Sequence, residues 1–177
     1  MITKWNFQTP TEEELHKRDR LASQLGLSPV VCLLLVQRGL TTVEEVKKFF
    51  KPSLNDLHDP FLMPDMEKAV KRLNKALGNK EKILIYGDYD VDGTTAVSLV
   101  YKYLRPYSSA LDYYIPDRYD EGYGISYKGI NYARENGITL VISLDCGIKA
   151  IEKIEYAKQL GIDFICLLYT SDAADEA

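Results

Sequence analysis

Between Thr11 and Leu77 the apolar positions recur three and four residues apart, the spacing of one helical face. Thr11 followed three residues later by Glu14 predicts a capping box ahead of a first helix ending near Leu25. Gly26-Leu27-Ser28-Pro29 resets the chain, and Pro29 suits the first turn of a second helix over 30–37. Thr42 with Glu45 caps a third helix reaching Phe50. A loop rich in Pro, Asp and Asn follows over 51–61, and Asp65 is placed to cap a helix over 66–77. From Glu81 the period changes. Short apolar runs at 83–86, 111–115, 139–144 and 162–165 alternate with helical stretches from Thr94, over 126–136 and over 149–160. Strands separated by helices of that length imply right-handed crossovers and a parallel sheet. The expected fold class is therefore α/β, a parallel sheet with flanking helices, preceded by a small N-terminal helical region. The expected division is 1–80 for the helical region and 81–165 for the α/β domain.

The 177 residues suffice for one domain with a small appendage, and their apolar and charged fractions suit a soluble globular protein. No apolar run approaches the roughly 20 residues of a membrane span. The first residues lack the shape of a signal peptide, so the expected location is cytoplasmic. Cys32, Cys146 and Cys166 show neither paired spacing nor a zinc pattern, which predicts free thiols. The net charge of −4 is unevenly distributed. Residues 1–80 carry 13 basic and 10 acidic side chains, a balance of +3, and the remainder carries 9 and 16, a balance of −7. A mildly basic front beside an acidic rear suits a polyanionic substrate met through a cation, although alternating charge on helical surfaces produces similar asymmetry.

Candidate chemistry concentrates at Ile-Leu-Ile-Tyr-Gly-Asp-Tyr-Asp-Val-Asp-Gly-Thr-Thr, residues 83–95. Asp88, Asp90 and Asp92 stand at every second position just where a buried strand should run out. Like charges so close repel unless a cation lies between them. Open α/β sheets place their active sites at the C-terminal ends of such strands. The alternative is a solvated acidic loop. A calcium-binding EF-hand is excluded: the twelfth position from Asp88 is Leu99 in place of a bidentate Glu, and a strand, not a helix, precedes the loop. Asp90-Val91-Asp92-Gly93-Thr94 also matches a haloacid-dehalogenase-like phosphatase, in which Asp90 would be a nucleophile. Gly87-Asp88-Tyr89 then intervenes between strand and nucleophile, which that family does not have. Ser143-Leu144-Asp145-Cys146-Gly147 repeats the logic of strand, carboxylate, glycine. In a parallel sheet Asp145 would share a rim with Asp90 and Asp92, an oxygen-donor set of the kind Mg²⁺ or Mn²⁺ prefers. A helix N-cap is the structural alternative for Asp145.

Gly122, Tyr123 and Gly124 permit close backbone approach, and Ser126 opens a helix whose N-terminus suits phosphate. An ordinary turn and cap explain the same residues equally well. Arg118 is a candidate phosphate contact, and Tyr113, Tyr114, Tyr119, Tyr123 and Tyr127 include one or two candidates for base stacking among mostly half-buried rings.

Three segments, Tyr86 to Thr94, Glu121 to Gly124 and Ser143 to Ile148, resemble signatures of the DHH phosphoesterase superfamily. Together with Leu33 to Gly39 and Phe50 to Phe61 they resemble its branch of 5′ to 3′ exonucleases specific for single-stranded DNA. The resemblance extends from about Trp5 to Ile165. It implies metal-assisted phosphodiester hydrolysis by a monomer using Mn²⁺ or Mg²⁺. Asp90, Asp92 and Asp145 are then metal ligands and Asp88 stands close by in the catalytic group. It also implies single-stranded DNA as partner, and a single-strand-binding protein and a helicase as associates. Other members of the superfamily act on short oligonucleotides, cyclic dinucleotides or pyrophosphate. Some carry histidine where this chain has Tyr86, which leaves metal preference open.

The Asp-His-His that defines the superfamily should follow the strand over 162–165, and the chain instead continues Cys166-Leu167-Leu168-Tyr169-Thr170-Ser171 to Ala177. Residues 166–176 resemble the in-frame translation of a transposase-based sequencing-library adapter. Residues 166–177 are expected to be non-native, with the natural gene continuing past Ile165. On that expectation the chain alone has little or no nuclease activity and exposes apolar surface. A non-catalytic nucleic-acid-binding fragment is the remaining alternative.

Overall fold

The computed structural model describes residues 9–168. Three helices come first among the described residues: α1 (Glu12–Leu25), α2 (Pro29–Gln37) and α3 (Val43–Phe50). Both predicted capping boxes form. Thr11 accepts the Glu14 amide while Glu14 accepts the Thr11 amide, and Thr42 and Glu45 do the same at α3. Gly26 ends α1 in the left-handed conformation. Leu21, Cys32, Leu35, Val36 and Val46 form the core of this unit. The expected loop that follows contains two short 3₁₀ turns, Leu54–Asp56 and Pro60–Leu62.

The chain divides into two compact units, the second beginning at Met63. Helix α4 (Met66–Gly78) therefore belongs with the sheet: Leu73, Ala76 and Leu77 pack into its core. Asp65 stands at the N-cap of α4 with φ 59°, yet its side chain makes no capping bond. Next come β1 (Ile83–Gly87), α5 (Val91–Leu104), β2 (Leu111–Tyr114), α6 (Tyr127–Glu135), β3 (Leu140–Leu144), α7 (Ile151–Gln159) and β4 (Asp163–Leu167). All pairings are parallel, in the order β2-β1-β3-β4. The α/β expectation is met, with β4 running two residues past Ile165 into the segment expected to be non-native. Residues 169–177 lie outside the described residues.

Side-chain alternation explains the two layers. Ile83 and Ile85 of β1, with Leu140, Ile142 and Leu144 of β3, face α4 and α5. Leu84 and Tyr86, with Val141, face α6 and α7. β1 and β3 are buried along their whole length, and each fully buried Leu or Ile contributes about 1.5–3 kcal/mol. No helix among the described residues is long and apolar enough to cross a membrane.

Candidate active site

From β1 the chain passes through α5 to β2 on one side, and from β3 through α7 to β4 on the other. β1 and β3 are adjacent, so the strand order reverses between them. The crevice at their C-terminal ends is the switch point where open α/β sheets place ligands. Gly87 pairs with Leu144 across these strands, which sets Asp88 and Asp145 side by side as the next residues.

Asp88 is fully buried. Its Oδ1 accepts its neighbour Tyr89's amide at 2.7 Å and its Oδ2 accepts the Gly124 amide at 3.0 Å. Burial pushes its pKa up, the two amides oppose this, and the charges of Asp90 and Asp145 push it up further. Asp90 is the N-cap of α5: its Oδ1 accepts the Gly93 amide at 2.8 Å, in the positive field of the helix N-terminus. Asp92 lies exposed in the first turn of the same helix. Asp145 has φ 58°, a strained conformation for a residue with a side chain. It is not the cap of α7, whose N-cap is Ala150. Two residues before it, Ser143 Oγ is buried without a hydrogen-bond partner among the described residues.

The close approach of α5 to β1 depends on two glycines. A Cβ on Gly93 would stand 2.5 Å from the Asp88 carbonyl oxygen and 2.6 Å from its nitrogen. A Cβ on Gly87 would run into Val97 and the Gly93 carbonyl. Only bare backbone lets the first turn of α5 lie against Asp88.

The loop after β2 supplies the opposite wall. Burial, then the charges of Asp88, Asp90 and Asp145, push the Tyr123 phenol up to about 12. The Tyr123 ring stands edge-on to Tyr89 at 6.0 Å, and the Arg118 guanidinium lies over Tyr89 at 5.4 Å. Tyr89, absent from the sequence candidates, thus connects Arg118 to the carboxylates. Its place directly between Asp88 and Asp90 was the available signal. Gly124 and Ser126 direct their amides inward, to Asp88 and to the Tyr86 hydroxyl, so both shape the loop. Tyr114 is stacked on Tyr86, Tyr113 packs edge-on against Tyr101, and Tyr119 is 93% exposed. A cleft of about 470 Å³ opens beside Asp145, lined by Tyr123, Ile125, Lys149 and Lys153 among others. Lys153 donates to the Ile125 carbonyl at 2.6 Å and lies 5.9 Å from the centre of the Tyr127 ring.

Among the described residues no three His, Cys, Asp or Glu side chains converge as a ready-made metal cage. The donor chemistry nevertheless fits a hard divalent cation. Carboxylates from two strand ends repel one another, and the strand that leads to Asp145 carries a buried hydroxyl, Ser143, without a partner among the described residues. Cations of the Mg²⁺ type are held by one or two carboxylates and complete their shell with water and substrate oxygens.

This is the architecture of a DHH-type α/β domain: residues 82–168 match the DHH family, N-terminal domain. It is 40% identical over 162 residues to the single-stranded-DNA-specific exonuclease RecJ of Bacillus subtilis, a match that covers 92% of this chain and 20% of that protein. The crystal structure of exonuclease RecJ bound to manganese superposes with a TM-score of 0.56 at 27% identity, over 62% of this chain and 29% of that one. RecJ from Thermus thermophilus, solved in complex with Mn²⁺, shares the fold, with a TM-score of 0.63 at 21% identity over 90% of this chain and 22% of that one. The chain thus spans about a fifth of the curated relative's length. The expected resemblance is borne out. The phosphatase alternative loses its footing, since β1 ends at Gly87 and Asp90 caps α5 rather than closing the strand.

Proposed function

We propose that this chain is the carboxylate-bearing part of a RecJ-type nuclease that hydrolyses single-stranded DNA from the 5′ end. The observation that carries this reading is the Gly87–Leu144 register, which sets Asp88 beside Asp145 at the switch point of the sheet, with the charge of Asp90 at the N-cap of α5 acting on the same buried carboxyl. Asp90 and Asp145 would hold a divalent cation, Mn²⁺ or Mg²⁺, with Asp92 on the adjoining turn of α5 as a further ligand. The manganese in the RecJ structure that matches at 27% identity supports this use of metal. Such a cation supplies Lewis-acid polarisation of the phosphodiester and a nucleophile available at neutral pH.

The chain's own residues do the rest. Asp88, with both oxygens engaged by amides, fixes the loop of Tyr123 against the carboxylates. Arg118 and the exposed ring of Tyr119 meet the incoming strand, the first as a phosphate contact and the second as a stacking surface. Gly122, Gly124 and Ser126 hold that wall in shape. The division into a helical region, a partial phosphoesterase domain and a non-native tail belongs to the same proposal. So do a cytoplasmic, monomeric parent and its association with a single-strand-binding protein and a helicase. These associates rest on the family resemblance alone.

The test has two arms. The 177-residue chain should bind Mn²⁺, read by loss of the free-ion electron paramagnetic resonance signal, and Asp90→Asn or Asp145→Asn should abolish that binding. The longer protein encoded by the source gene, sequenced across codon 165 and beyond, should digest a single-stranded oligonucleotide in Mn²⁺. Either substitution should slow it by at least about 100-fold. Undiminished digestion by Asp145→Asn would sink the proposal.

A further inference from the structure

The loop from Ile115 to Ser126 is held by a chain of hydrogen bonds whose proton directions can be assigned. Glu121 Oε1 accepts the Asp117 amide at 2.9 Å and the Tyr114 hydroxyl at 3.0 Å. Its Oε2 accepts the Ser126 hydroxyl at 2.5 Å and the Tyr114 hydroxyl at 2.9 Å. Ser126 Oγ already accepts the Gly129 amide at 2.8 Å, as N-cap of α6, so its own proton goes to Glu121. The buried Tyr86 hydroxyl accepts the Ser126 amide at 3.1 Å and donates to the Gly124 carbonyl at 3.0 Å. The Gly124 amide then donates to Asp88.

Three donor groups converge on Glu121 and no acceptor does. A carboxylate serves all of them, whereas an amide side chain would turn its NH₂ against one. The relay is Glu121 to Ser126, Ser126 to Tyr86, Tyr86 to Gly124 and Gly124 to Asp88. Glu121 touches none of the acidic cluster yet fixes the wall that faces it. A Cβ on Gly129 would stand 2.6 Å from the Tyr86 ring, so α6 clamps the middle of the relay from behind.

We propose that Glu121 is a positioning residue of the carboxylate site: as an ionised hub it holds, through Ser126 and Tyr86, the Gly124 amide on Asp88 and Tyr123 beside the acidic cluster. Its effect on metal binding rests on the proposed function, and its effect on the loop does not. In the 177-residue chain, Glu121→Gln should speed hydrogen exchange of the Gly124 amide by about tenfold or more, the equivalent of one lost charge-assisted bond. Exchange in β1 and β3 should keep its wild-type rate, and Mn²⁺ affinity should fall by a similar factor. Tyr86→Phe should loosen Gly124 in the same way, and it carries the test if Glu121→Gln does not fold.

A Gly124 amide as protected as in the wild type would overturn the inference. So would uniform loosening of the whole unit, which would make Glu121 a stability residue only. If the wild-type chain binds no Mn²⁺, the reading of the site fails while Gly124 exchange still decides the role of Glu121.

Discussion

At the residue scale, the site is built from backbone as much as from carboxylates. Asp88 takes two amide donors, Asp90 one, and Gly87 and Gly93 let the first turn of α5 approach Asp88 closely. The consequence is testable at Gly93. Its helical backbone would accept alanine elsewhere, so on propensity alone Gly93→Ala would stabilise by up to about 1 kcal/mol. Here the added methyl meets immobile backbone at 2.5 Å, and we expect a loss of about 2 kcal/mol or more together with loss of Mn²⁺ binding. Thermal unfolding and metal titration of the variant measure both. A neutral or stabilising outcome would mean that α5 moves freely relative to Asp88.

At the element scale, α4 is tied to the end of the sheet opposite the site. Arg72 donates to Asp163 at 2.6 Å and to Glu81 at 2.8 Å, and more weakly to the Thr139 carbonyl at 3.3 Å. One side chain thus joins the entries to β1, β3 and β4. Glu81 also accepts the Thr139 hydroxyl at 2.7 Å. That bond, and then Arg72, hold its carboxyl below the ordinary value of 4.5. A depressed carboxylate contributes stability that is fully present above its unfolded pKa and is lost as pH falls through the folded value. Glu81→Gln should therefore cost about 2 kcal/mol near neutral pH and flatten the acid side of the stability profile below pH 4.5. Denaturant midpoints measured across that range check it. Parallel acid slopes for variant and wild type would remove Glu81 from the account.

At the scale of the whole molecule, the carboxylates of Asp88, Asp90 and Asp145 act on one another electrostatically at the switch point. A cation bound there relieves a repulsion that the unfolded chain does not have. Mn²⁺ at a hundred times its dissociation constant should stabilise the sheet unit by about 2.7 kcal/mol. A chelator should reverse the gain and Asp145→Asn should abolish it. A melting temperature indifferent to Mn²⁺ would separate the acidic cluster from metal binding.

Much of this was legible in the order of residues, because capping, periodicity and strand ends are local. The Thr11 and Thr42 capping boxes, the buried runs of β1 and β3, and the placing of acids just past them follow from short-range patterns. Fold class and acidic motifs were therefore determined by the sequence alone. The tertiary structure decided what depends on partners distant in the chain. It assigned α4 to the sheet, since an amphipathic helix does not declare which core it joins. It set Asp88 beside Asp145 through the Gly87–Leu144 register and gave Asp145 its strained backbone. It left Asp92 exposed on α5, engaged Gly124 and Ser126 inward, and made Glu121 the hub of the loop. Hydrogen bonds between residues 36 and 40 positions apart, such as Asp88 with Gly124 and Tyr86 with Ser126, leave no periodic trace in a sequence. Only the folded sheet brings their donors and acceptors within reach.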